Sequence, residues 1–108
     1  MKELVELLKR KGLLLKELKP VDLKSLGIKK RVEAFEGVDI SNRYVLILHI
    51  KRKSRFLRKD AEDLLQIKDL IQRSLNHGFK RFIAVVEAPF CSKAKEYLQK
   101  EGWSFYAR

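Results

Sequence analysis

Seven consecutive residues, Tyr44-Val45-Leu46-Ile47-Leu48-His49-Ile50, restrict this chain more than any other stretch. They are aromatic, β-branched or leucine, the residues that suit a pleated surface. Side chains alternate faces along a strand, so a strand wet on one side alternates with polar residues. This one meets no polar position until His49 and is apolar on both faces, as a central strand covered on both sides is. An α/β sheet with helices packed on its faces follows. At 108 residues, 45% hydrophobic and 36% charged, the chain forms one domain, residues 1–108, with a single modest core.

The flanking sequence supplies the layers. Leu4, Val5, Leu7 and Leu8 recur at helical spacing between Lys2 and Lys11, and Gly12 is a stop. Leu13 to Leu18 is too short to assign and is ended by Pro20. Asp22 to Leu26 suits one helical turn closed by Gly27. Arg31 to Glu36 alternates as a half-exposed strand, Gly37 punctuates it, and Val38-Asp39-Ile40 resumes it. Ser41-Asn42-Arg43 makes a tight turn into Tyr44. Asp60 is expected to cap a helix of about four turns with Leu64, Ile67, Ile71 and Leu75 inward, and Gly78 to close it. Arg81 to Val86 is a second buried strand, ended before Pro89. Ser92 is expected to cap a helix through Lys100, Gly102 closes it, and Trp103 to Tyr106 is a short last strand. The order is α-β-β-β-α-β-α-β.

Charge narrows the function. Lysine and arginine number 25 against 14 aspartate and glutamate, a formal net charge of +11, with a pI of about 10.0. That is the electrostatic footprint of a polyanion binder, nucleic acid before an acidic protein. No apolar run approaches the ~18 residues of a membrane span, and the N-terminus lacks the apolar region of a signal peptide, so an intracellular, membrane-free location is expected. A single cysteine, Cys91, forbids an internal disulfide, and with only His49 and His77 beside it a zinc site is excluded.

The chemistry gathers around the apolar strand. Val45, Ile47, His49 and Lys51 share one face, and Asp39 precedes them across a short turn. Asp39, His49 and the carbonyl of Ile50 are candidate ligands for Mg²⁺ or Mn²⁺, with Lys51 steadying developing phosphate charge. The plainer alternative has Asp39 capping a turn and Lys51 leaving the strand for solvent. Beyond the strand, Lys51, Arg52, Lys53, Arg55, Arg58 and Lys59 put six cations in nine residues. They are candidate phosphate contacts.

In order and spacing, Asp39, then His49-Ile50-Lys51, resembles the D…(D/E)-x-K pattern of the PD-(D/E)XK nucleases, with histidine in place of the middle carboxylate. Gly37-Val38-Asp39-Ile40, Val45 to Arg52 and Asp60-Ala61-Glu62-Asp63-Leu64 resemble the catalytic domain of NucS-type endonucleases, within the superfamily that also holds archaeal Holliday junction resolvases. Gly78 to Pro89 and Ala94 to Gly102 extend the likeness to about residues 36–106. The resemblance implies a restriction-endonuclease-like mixed sheet and a metal-dependent DNA endonuclease acting in repair or recombination, as a homodimer or heteromer. Asp39 stands at its metal carboxylate, Lys51 at its catalytic lysine and His49 at its glutamate. Its helix glutamine falls near Gln66, Asp63 or Leu64, and its upstream glutamate at Glu3, Glu6 or Glu17. Imidazole is a poorer Mg²⁺ ligand than carboxylate and suits Mn²⁺ better. A nuclease fold that binds DNA without cutting it, alone or beside an active partner, is therefore the alternative. If it does cut in Mg²⁺, Glu33 or Glu36 must complete the site.

The other polar and aromatic features read as structural. Cys91 is a small residue near a helix cap, and His77 favours a helix C-terminus. Trp103, Phe105 and Tyr106 pack a final strand rather than stacking on bases. Lys9-Arg10-Lys11 and Lys29-Lys30-Arg31 are solvated faces within reach of phosphate.

Overall fold

A computed structural model describes residues 2–28, 32–76 and 78–107, with side chains from residue 4 onward. The elements are α1 (Lys2–Arg10), β1 (Leu15–Val21), β2 (Glu33–Asp39), β3 (Tyr44–Lys51), α2 (Arg58–Leu75), β4 (Arg81–Glu87), α3 (Ser92–Lys100) and β5 (Ser104–Ala107), with a 3₁₀ turn at Lys24–Leu26. The five strands lie in the order β1-β2-β3-β4-β5. The first three pair antiparallel, and β3-β4 and β4-β5 pair parallel, with α2 and α3 as crossovers. The apolar strand is central, as its composition requires.

Its two faces feed two cores. Leu46, Leu48 and Ile50 join Ala84 and Val86 under α2 and α3, against Ala61, Leu64, Ile67, Ile71, Ala94 and Leu98. Val45 and Ile47 join Phe35, Ile83 and Val85 under α1, against Leu4 and Leu8. Each fully buried Leu or Ile contributes about 1.5–3 kcal/mol. Position parity on β3 thus decides which layer a side chain enters, and His49 and Lys51 fall on the α1 side.

The element order agrees with the sequence, but the first strand of the three is a different one. Gly37 does not interrupt β2, which runs unbroken from Glu33 to Asp39. A Cβ at Gly37 would stand 3.2 Å from the carbonyl oxygen of Glu17 on β1, so glycine here admits a close backbone crossing. The additional strand is Leu15–Val21, and Pro20 sits inside it, opposite Phe35. An edge strand tolerates proline because one row of its N–H groups has no ladder partner.

Helix ends shift by a residue or two. Leu57 occupies the N-cap of α2. Asp60 lies three residues on and takes the Leu57 N–H at 2.8 Å, half of a capping box. Asn76, with φ 56°, takes the left-handed C-cap position expected of Gly78. Cys91 rather than Ser92 precedes α3. The expectations for His77 and for 29–31 fall outside the described residues, as does the side chain of Glu3.

Candidate functional site

The β2-β3 hairpin fixes where each candidate residue stands. Its register pairs Glu33 with His49, Phe35 with Ile47, Gly37 with Val45 and Val38 with Tyr44. Asp39 therefore lies at the turn, beyond Tyr44, while His49 and Lys51 lie at the opposite end of the hairpin. Six residues at ~3.3 Å each separate Asp39 from Glu33, about 20 Å along the sheet. Asp39 shares a face with His49 and Lys51 but does not meet them.

Asp39 has other work. It is 2% exposed, and its carboxylate accepts the Ser41 and Arg43 backbone N–H groups at 2.9 Å each and Arg43 Nε at 3.0 Å. The Asp39 N–H donates to the Arg43 carbonyl, and its carbonyl accepts from Asn42. The Arg43 N–H, joined by the Ser41 N–H and the Arg43 charge, holds the carboxyl below its ordinary value, against the upward pull of burial. Asp39 is the tie of the hairpin turn, as the plainer alternative had it.

A different set gathers at the far end. His49 Nε2 and a Glu87 carboxylate oxygen share a hydrogen bond, and His49 Nδ1 is 3.9 Å from Glu33 Oε2. Glu87 ends β4 beside Lys51 in the parallel ladder, and Lys51 is exposed. The imidazole is 13% exposed, Glu87 17% and Glu33 70%. A histidine thus stands between two carboxylates, at the mouth of an open groove of about 760 Å³ lined by Lys51, Arg52, Lys53, Glu87, Ala88 and Pro89. Glu33 was weighed only as a substitute in the sequence, and Glu87 was missed. The parallel ends of two buried strands, Lys51 and Glu87, were the available signal.

These groups do not fit a preformed Mg²⁺ or Mn²⁺ centre. The set of Asp39, His49 and the Ile50 carbonyl is not assembled, because Asp39 is at the turn. Glu33, His49 and Glu87 face one another, and among the described residues no three His, Cys, Asp or Glu side chains form a group that could hold a metal ion. The remaining candidates are dispersed. Gln66 is exposed on α2, and Asp63 and Leu64 line a small cavity under Arg52, on the other face of the sheet. Glu6 is exposed on α1, and Glu17 pairs with Val38 near the turn.

The basic segment divides into one anchored arginine and five exposed cations. Arg52 Nη2 donates to Asp60 Oδ2 at 2.6 Å and to the Arg55 carbonyl at 3.0 Å. Its guanidinium lies 5.6 Å from the Phe56 ring centroid. Phe56 in turn bridges to Phe90, with its N–H on the Pro89 carbonyl. Arg52 thus fastens the segment to the start of α2. Lys51, Lys53, Arg55, Arg58 and Lys59 are exposed, and Arg58 leans over the Tyr97 ring at 5.3 Å and lies 3.8 Å from Glu62. Cys91 is half-buried beside this segment. The backbone N–H of Ala94, with those of Arg58 and Lys93 and the charge of Arg55, lowers its thiol pKa against the effect of burial.

No protein-family model matches the chain, and no curated protein does. Solved structures do. EndoMS in its apo form aligns with a TM-score of 0.60 at 20% identity, over 99% of this chain and 45% of that one. A repair endonuclease from Pyrococcus abyssi aligns with a TM-score of 0.52 at 21% identity, over 86% and 39%. EndoMS in a complex with dsDNA gives 0.52 at 18%, over 99% and 43%. The chain spans less than half the length of each. At such identity the likeness is one of fold, and the mixed sheet with helices on both faces is the restriction-endonuclease-like fold of these EndoMS-type, PD-(D/E)XK repair endonucleases.

Proposed function

We propose that this chain is a DNA-binding domain built on the nuclease fold, with the phosphate backbone received at the end of β3 and along the basic segment behind it. One observation carries the reading. Five exposed cations leave the same sheet end that presents Lys51 and the open groove, and Arg52 holds their backbone in place. Fixing the segment beforehand lowers the entropy lost when phosphates bind. The net charge of +11 supports it, as does the shared fold with EndoMS, itself seen with dsDNA.

A second reading is a Mg²⁺- or Mn²⁺-dependent endonuclease with histidine in place of a carboxylate. It is favoured by Glu33, His49 and Lys51 standing on one face and at one end of the hairpin, the grouping that the D…(D/E)-x-K pattern requires. A single assay separates the two. The protein is incubated with duplex, branched and single-stranded DNA in Mg²⁺ and in Mn²⁺, and binding and cleavage are both scored. Binding without cleavage supports the first reading, and ion-dependent cleavage abolished by Lys51→Ala supports the second. No binding to any form refutes both.

A further inference from the structure

We infer that His49 takes the place of a divalent ion at this end of the sheet, so that DNA binds here without one. The inference rests on the DNA-binding reading and concerns how that site meets phosphate. Glu33 and Glu87 both point their carboxylates to the end of β3, where the exposed cations begin. Two carboxylates facing an incoming phosphate repel it, and something positive or proton-donating must stand between them. In a metal-dependent site that agent is an ion. Here the imidazole already lies between the carboxylates, hydrogen-bonded to Glu87 and 3.9 Å from Glu33. Lys51 flanks Glu87 in the ladder.

The exchange is balanced in charge. A carboxylate at position 49 would make three anions in one corner. Histidine removes one, and in its protonated form supplies a cation toward the other two. It also occupies the oxygen of Glu87 that an ion would need. Mg²⁺ prefers an all-oxygen shell and dehydrates reluctantly, so it gains little from displacing an imidazole already hydrogen-bonded in place. The basic segment then draws DNA in by counterion release alone.

Fluorescence anisotropy with a labelled duplex at constant ionic strength tests this, in EDTA and then with Mg²⁺ or Mn²⁺. Wild-type affinity is expected to be the same in all three. His49→Gln keeps a hydrogen-bonding side chain but no positive charge, and its affinity in EDTA is expected to fall about tenfold, with Mn²⁺ restoring it. Glu87→Gln, which removes one of the anions, is expected to bind at least as tightly as wild type and to ignore the ions, and it keeps the test decisive should His49→Gln fold poorly. A Mn²⁺ titration followed by calorimetry adds a readout independent of DNA: wild type shows no heat assignable to this cluster, and His49→Glu gains a site. Wild-type binding that needs an ion, or a Glu87→Gln variant that binds more weakly than wild type, overturns the inference while leaving DNA binding intact. Loss of wild-type binding in every condition overturns the DNA-binding reading and this inference with it.

Discussion

One carboxylate, that of Asp39, ties the backbone of Ser41 and Arg43 and the Arg43 side chain into a single turn. Its pKa lies below the ordinary 3.8, and that fixes the sign of its pH dependence. A lowered folded-state value means that the charged form stabilises the fold at every pH above the unfolded value. The contribution is lost as pH falls through the folded value. Asp39→Asn is therefore expected to lower the thermal midpoint at neutral pH, by an amount that shrinks once the pH drops below about 3.8. A gap that stays constant down to pH 2 would contradict this account of the turn. At the other end of the hairpin, His49→Glu returns a carboxylate beside Glu33 and Glu87. It is expected to weaken ion-free DNA binding and, under the endonuclease reading, to raise Mg²⁺-dependent cleavage above wild type. Gel assays of both variants in EDTA and in Mg²⁺ check each half of that statement.

Elements show why some of this was legible and some was not. β3 announced itself because every position is buried by a layer, and the same holds for β4. α2 followed from its inward stripe at Leu64, Ile67 and Ile71. β1 did not, because its half-buried positions fall at Leu15, Leu18 and Val21. A register shift between Leu15 and Glu17 breaks the period of two, and an edge strand also accepts Pro20. Misjudging Gly37 had the larger consequence. Taken as a break, it placed Asp39 at the mouth of a strand beside Lys51; within a continuous β2 it puts Glu33 there instead. The site lay in pairings between strands, which one sequence states only indirectly. Gly37→Val drives a side chain against the Glu17 carbonyl and the Leu15 side chain, and is expected to cost about 1–3 kcal/mol. Leu48→Ala, under α2, is expected to cost about 2–5 kcal/mol. Urea denaturation of both variants measures these losses. A neutral Gly37→Val would mean that β1 does not cross there.

For the whole molecule, charge and size set the remaining expectations. A domain of 12.7 kDa that meets duplex or branched DNA gains a second contact by pairing with its copy about a two-fold axis. A homodimer, with a light-scattering mass of twice the chain at micromolar concentration, is the expected state, and a monomer mass there contradicts it. The claim on which the account turns is that the segment from Lys51 to Lys59 receives phosphates, and salt dependence measures it most directly. With about five phosphates neutralised by Lys51, Lys53, Arg55, Arg58 and Lys59, log affinity for duplex DNA should fall against log salt with a slope near −4.5. Replacing Lys53, Arg55 and Lys59 together by alanine should bring the slope to about −2, with the fold retained, since all three are exposed. An affinity that ignores salt between about 50 and 200 mM, or a triple variant with the wild-type slope, would contradict it.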